Sequence, residues 1–267
     1  MNQAFPKIVA VLKSTAFRLL RIAGILCVIY VSMVFYLALT ERRNAFPRAI
    51  YHKEANEAIQ GKAKALTCTL EDGTVLHGFS IGNENSPTLL YYPEADEDAA
   101  QFLAQIDSLP GINVVTFNYR GSGENKGTPS AETFEKDAEQ IKDCATQLNG
   151  NIPSYIVGRG TGAILASQQS NKETFTILID PIMDIASAIH RKYGFLYPQF
   201  LVRTSIRADI DKINAQSDRT VILIDRKQHE ERTKEEIQNL KKVQVIVRGG
   251  EPLQKALTNS IKDNLSP

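Results

Sequence analysis

Residues 154–166, SYIVGRGTGAILA, constrain what this chain can fold into more tightly than any other stretch. An apolar run (Tyr155, Ile156, Val157) enters three alternating glycines, Gly158, Gly160 and Gly162. Small and aliphatic residues (Ala163, Ile164, Leu165, Ala166) leave them. The pattern predicts a buried strand, a turn too tight for side chains, and a helix held close to a sheet. Two chemistries use such a turn. A G-x-S-x-G elbow presents a serine nucleophile at the top of an α/β sheet. A G-x-G-x-x-G/A fingerprint offers its backbone to a pyrophosphate. The centre of the elbow here is Gly160, so an elbow reading leaves it without a nucleophile. The fingerprint reading takes Gly158, Gly160 and Ala163, with Asp180 spaced to meet a ribose hydroxyl. Against it, several strands precede the turn, whereas the fingerprint usually opens its domain.

The second constraint is Ile22 to Thr40, nineteen residues without a charge. At about 1.5 Å per helical residue they cover close to 30 Å, the hydrocarbon thickness of a bilayer. A cleaved signal peptide should have a shorter apolar region, and Ala38-Leu39-Thr40 is a poor cleavage site. The expected organisation is a basic N-terminal segment (1–21), a single transmembrane helix (22–40), a polar connector (41–63) and a globular domain (64–267). Lys7, Lys13, Arg18 and Arg21 precede the span, and Arg42, Arg43, Arg48 and Lys53 follow it, so the positive-inside rule gives no orientation.

Beyond the connector the chain alternates strands and helices. Lys64 to Ile81 reads as a hairpin around Asp72-Gly73, a two-residue turn in which both residues need positive φ. Strands are expected at Pro87–Tyr92, Ile112–Asn118, Tyr155–Val157, Phe175–Asp180, Val221–Asp225 and Val243–Arg248. Helices are expected at Asp96–Leu109, from Ser130 to the Asn149-Gly150 stop, at Thr233–Lys242 and at Pro252–Leu265. This order predicts an α/β fold with a doubly wound, mostly parallel sheet.

Composition narrows the functions. A formal net charge of +1 gives no footprint for nucleic acid. Three cysteines are present; Cys27 lies in the apolar span, and Cys68 and Cys144 read as packing residues rather than as a disulfide framework. On that reading nothing demands an oxidising compartment. No C-x-x-C or H-E-x-x-H pattern points to a metal, and no cofactor is expected outside the fingerprint reading.

The order hairpin, βα, β, then Asn118-Tyr119-Arg120-Gly121-Ser122-Gly123 with Gly127-Thr128-Pro129-Ser130, then a Gly-x-x-x-Gly elbow, resembles the α/β-hydrolase superfamily. The likeness covers about residues 64–265 and is greatest to small membrane-anchored ABHD-type and serine-aminopeptidase-like members. The run PQFLVRTSIRADIDKI also resembles the segment where a small cap returns to the core. That resemblance implies stations for acyl hydrolysis: a nucleophile, a histidine base, an orienting acid and N–H donors for an oxyanion. The nucleophile station holds Gly160. Beyond the strand VILID, where the acid is expected, stand Arg226, Lys227, Gln228 and His229. The histidine station after the last strand reads Arg248-Gly249-Gly250-Glu251. The oxyanion loop is Pro93-Glu94-Ala95 instead of a His-Gly-rich run.

All four stations differ, so no catalytic residues are expected, with Gly160, His229 and Glu251 the degenerate positions. A displaced set of Thr161, His190 and Asp180 is the rival arrangement; otherwise Thr161 starts a helix, Asp180 caps a segment and His190 is surface. Arg120 is expected to anchor its own loop. The expectation is a membrane-anchored, catalytically inactive binding or scaffolding module. It would meet the bilayer through residues 22–40 and take a protein or a small acyl-type ligand. An active esterase, thioesterase or peptidase, and a nucleotide-binding protein, are the alternatives.

Overall fold

The computed structural model describes residues 4–227 and 236–265. Strand-forming, β-branched and aromatic runs assemble into an eight-stranded sheet: β1 (Lys64–Thr69), β2 (Val75–Ile81), β3 (Thr88–Tyr92), β4 (Asn113–Phe117), β5 (Tyr155–Arg159), β6 (Phe175–Ile179), β7 (Thr220–Asp225) and β8 (Gln244–Arg248). Their spatial order is β1-β2-β4-β3-β5-β6-β7-β8. The first three in that order pair antiparallel and the rest parallel. β3, β4 and β6 are buried along their whole length, as strands covered on both faces must be. Period-two alternation splits them between two cores. Leu90, Tyr92 and Ile156 face one, and Leu89, Tyr91 and Val157 face the other.

Eight described helices complete the fold: α1 (Ala4–Ala45), α2 (Lys53–Ile59), α3 (Ala99–Ile106), α4 (Ala131–Asn149), α5 (Gly162–Gln169), α6 (Ile185–Tyr193), α7 (Ile210–Ala215) and α8 (Leu253–Leu265). α4 begins on a Ser130 capping box and ends at Gly150 in the left-handed region, as its boundary residues predict. α1, α4, α5 and α6 contribute to the first core, and α2, α3 and α8 to the second. The alternating, mostly parallel sheet expected from the sequence is therefore present.

Three local expectations need correction. The hairpin turn is longer than two residues: Gly73 N–H donates to the Leu70 carbonyl and Leu70 N–H to the Thr74 carbonyl, and only Gly73 takes a positive φ. A looser loop puts the left-handed requirement on glycine alone. Of the helix expected over Thr233–Lys242, residues 233–235 lie outside the described set and residues 236–242 run as turns and bends. The third correction concerns cysteine. Cys68, at a core-facing position of β1, and Cys144, on α4, form a disulfide across 76 residues of chain, with Cα atoms 5.9 Å apart.

α1 is continuous for 42 residues, through both ends of the apolar span. The stretch from Leu12 to Ala45 is long and apolar enough to cross a membrane, its most apolar 18 residues reaching a mean hydropathy of 2.5. Most of its surface is bare. Its C-terminal part nevertheless packs on the domain through Val34, Leu37, Ala38, Glu41 and Ala45.

Unfolded without reductant, the full chain is expected to take up a single maleimide-polyethylene glycol, at Cys27, and three after reduction, counted by gel shift. Three adducts before reduction would disprove the bridge. Replacing Cys68 and Cys144 together by serine should lower stability by about 2–5 kcal/mol in denaturant titration.

Candidate functional site

The site forms where β5 turns into α5. Gly160 sits at the bend with φ +52°, a left-handed conformation that glycine adopts without strain. Its N–H donates to the Ile179 carbonyl (3.0 Å), and its own carbonyl accepts from Ile182 N–H (2.9 Å) and Ala163 N–H (3.2 Å). The flanking glycines are demanded by close approach. A Cβ on Gly158 would run into the backbone of Gly162 and Ala163, and one on Gly162 into the carbonyls of Tyr92 and Pro93. A Cβ on Gly160 would meet something different, the carboxylate of Glu94. The place above the bend is thus held by an acidic side chain from the loop after β3.

That loop is closed by side chains. Ala95 N–H donates to Thr161 Oγ1 (3.0 Å), and Glu94 N–H donates to Glu97 Oε2 (3.1 Å). Glu97 is the hub, accepting also from the Tyr91 hydroxyl (2.6 Å) and pairing through Oε1 with Arg159 (3.2 Å). Burial pushes the Glu97 carboxyl above its ordinary range, against the pull of Arg159 and of its hydrogen bonds. Arg159 also donates to Gln105 Oε1 (3.3 Å). Glu94, Asp96, Glu97, Gln101, Gln105 and Arg159 line an open depression of about 490 Å³. Its lining is polar and predominantly acidic.

The residues singled out in the sequence fall as follows. Asp180, at the C-terminal end of β6, accepts from Asp225 N–H (2.7 Å) and pairs with the buried Arg248 guanidinium (3.1 Å). His190, on α6, lies with Nδ1 3.3 Å from the Tyr197 carbonyl, to which it can only donate. Thr161 holds the Ala95 amide. Each of the three is engaged with a different partner. Glu251 pairs with Lys255 (3.3 Å) on the first turn of α8. His229 lies outside the described residues. Gly158 and Ala163 are enclosed by the strand-to-helix turn, and Glu94 stands where a pyrophosphate over Gly160 would lie.

Arg120 makes a two-pronged contact with Asp137 (2.8 Å each) and reaches Asp72 (2.7 Å), tying its loop to α4 and to the hairpin. Its guanidinium holds the Asp72 carboxyl well below the usual carboxylate range. No sequence motif announces the Glu94–Glu97–Arg159 network. The available signal was a carboxylate at the oxyanion loop, Glu94, followed by an acid-rich helix start.

Among solved structures, an α/β hydrolase from Vibrio vulnificus superimposes with a TM-score of 0.63 at 16% identity, covering 84% of this chain and 90% of its own. The chain has an α/β-hydrolase fold. No family model matches it. Lysophosphatidylserine lipase ABHD12 from Macaca fascicularis is 38% identical over 65 residues, 24% of this chain and 16% of that protein. The uncharacterized protein YfhR from Salmonella typhi is 30% identical over 104 residues, 36% of each chain. The match spans well under two thirds of either relative's length.

In this hydrolase fold the two kinds of glycine contact predict different costs. Gly160→Ala should cost about 1–2 kcal/mol, chiefly for a Cβ at positive φ, since the Glu94 side chain can swing aside. Gly158→Ala and Gly162→Ala should each cost more, because backbone cannot swing, and thermal unfolding of the three variants would show the order. Equal losses would disprove the distinction.

Proposed function

We propose that this chain is a membrane-anchored α/β-hydrolase-fold protein that binds rather than hydrolyses. The observation that carries the reading is the Glu94 carboxylate over Gly160. An acyl-transfer site needs an attacking atom at that bend and hydrogen-bond donors facing a developing oxyanion. Here glycine offers no attacking atom, a carboxylate opposes negative charge, and the Ala95 amide is already bonded to Thr161. Asp180 is committed to Arg248, which leaves it no lone role as an orienting acid.

The polar, acidic depression suits a basic side chain of a protein partner better than an acyl chain. A lysophospholipid held without cleavage is the acyl-type version, favoured by the name of the ABHD12 relatives. A fluorophosphonate probe on the full chain tests the reading. No covalent labelling is expected; labelling that Thr161→Ala abolishes would overturn it in favour of an active hydrolase.

We also propose a single-pass topology with the domain in an oxidising compartment. The Cys68–Cys144 bridge supports this, because such bonds persist where thiols are not kept reduced. With the flanking basic residues balanced, it favours the N-terminal end of α1 on the cytoplasmic side. In sealed membranes the domain should then resist protease added from the cytoplasmic face. Digestion of the domain from that face would reverse the orientation.

A further inference from the structure

Nine residues, Gly194 to Val202 (GFLYPQFLV), carry no charge and are flanked by Arg191-Lys192 and Arg203. They form two 3-10 turns, Gly194–Leu196 and Gln199–Leu201, that lie along α1 and not over the depression at Gly160. The Tyr30 hydroxyl donates to the Phe195 carbonyl (3.1 Å), the Tyr197 hydroxyl to Glu41 (2.6 Å) and the Tyr193 hydroxyl to Asn44 (2.8 Å). Phe195 and Phe200 point outward, 77% and 84% exposed.

Tyr30 lies near the middle of the charge-free part of α1. Ten residues on, Thr40 ends it, which is about 15 Å of helix and roughly half the hydrocarbon thickness of a bilayer. We infer that the Gly194–Val202 segment is a second membrane contact, sunk beside α1 into the same leaflet, with Phe195 and Phe200 among the acyl chains. The inference rests on the reading of α1 as a membrane span.

Sliding α1 to lift the segment into water does not work. Only Ile22 to Tyr30 would remain in the bilayer, about 13 Å of helix, unless Arg21, Arg18 and Lys13 were drawn in with them. Part of the segment's backbone is already satisfied within the protein. Non-helical backbone at that depth must find its partners within the protein. The carbonyls of Phe195 and Tyr197 face side-chain donors from Tyr30 and His190. Tyr197 N–H, Leu201 N–H and Val202 N–H are bonded within the turns. The exposed Lys192 and Arg203 at its two ends, and Arg42 and Arg43 at the end of α1, are the charges expected at phosphate headgroup level.

The chain contains no tryptophan, so a single introduced one reports its own depth. Three full-length variants, Phe195→Trp, Leu26→Trp in the span and Ile152→Trp at the opposite end of the sheet, would be placed in phosphatidylcholine vesicles. Emission is compared between ordinary and acyl-brominated lipid. The expected result is strong quenching at positions 195 and 26 and none at 152. Quenching at 26 with full emission at 195 overturns the second contact and leaves the span standing. No quenching at either position overturns both readings. Quenching at all three overturns the inference too, since contact would then not be confined to the segment.

Discussion

The structure depends on how closely α5 approaches the sheet. Gly158 and Gly162 let the strand, the turn and the loop after β3 touch backbone to backbone, with no side chain between them. Once that approach is made, β3 and β5 lie side by side, and the loop leaving β3 is drawn over the turn that leaves β5. The Thr161 hydroxyl and the Glu97 carboxylate then fix the amides of that loop. The carboxylate of Glu94 comes to rest above Gly160 as a consequence. In a hydrolase the same approach delivers oxyanion donors to a nucleophile; here it delivers an acid to a glycine.

A second set of interactions joins distant parts of the chain around this centre. Arg120 binds α4 and the hairpin at once, and its partner Asp137 is buried. The Cys68–Cys144 bridge connects the same two elements covalently a short way along. The hairpin is the antiparallel edge of the sheet, and an edge held only by ladder bonds on one side gains most from such ties. At the other side of the domain, Glu41 performs a similar service for α1. It is buried against Tyr197, Thr204 and the Arg203 amide, so the apolar N-terminal helix and the domain form one packed unit. The domain therefore does not hang from its helix on a free linker.

Much of the fold was legible because it follows from local periodicity. Short runs rich in aliphatic, β-branched and aromatic residues mark the parallel strands, and the capping residues Ser130 and Gly150 bound α4. The turn at Asp72-Gly73 was placed correctly but typed wrongly, since φ at Asp72 depends on how many residues the loop spends. The disulfide was misread for a plainer reason. Cys68 alternates with Leu66 and Leu70 as a core residue does, and Cys144 lies beside the apolar stripe of α4. Nothing in either local pattern records that the other cysteine is opposite. Two positions 76 residues apart meet only because β1 and α4 pack together.

The sequence by itself determined the alternation of elements, the absence of a side chain at position 160 and the charge-free length of the N-terminal helix, because each is a property of neighbouring residues. Tertiary structure alone decided what occupies the space over Gly160, which residues Asp180 and Thr161 serve, and that Phe195 lies beside Tyr30. Those are meetings between segments far apart in the chain, and they are set by how sheet and helices pack, which no local pattern encodes.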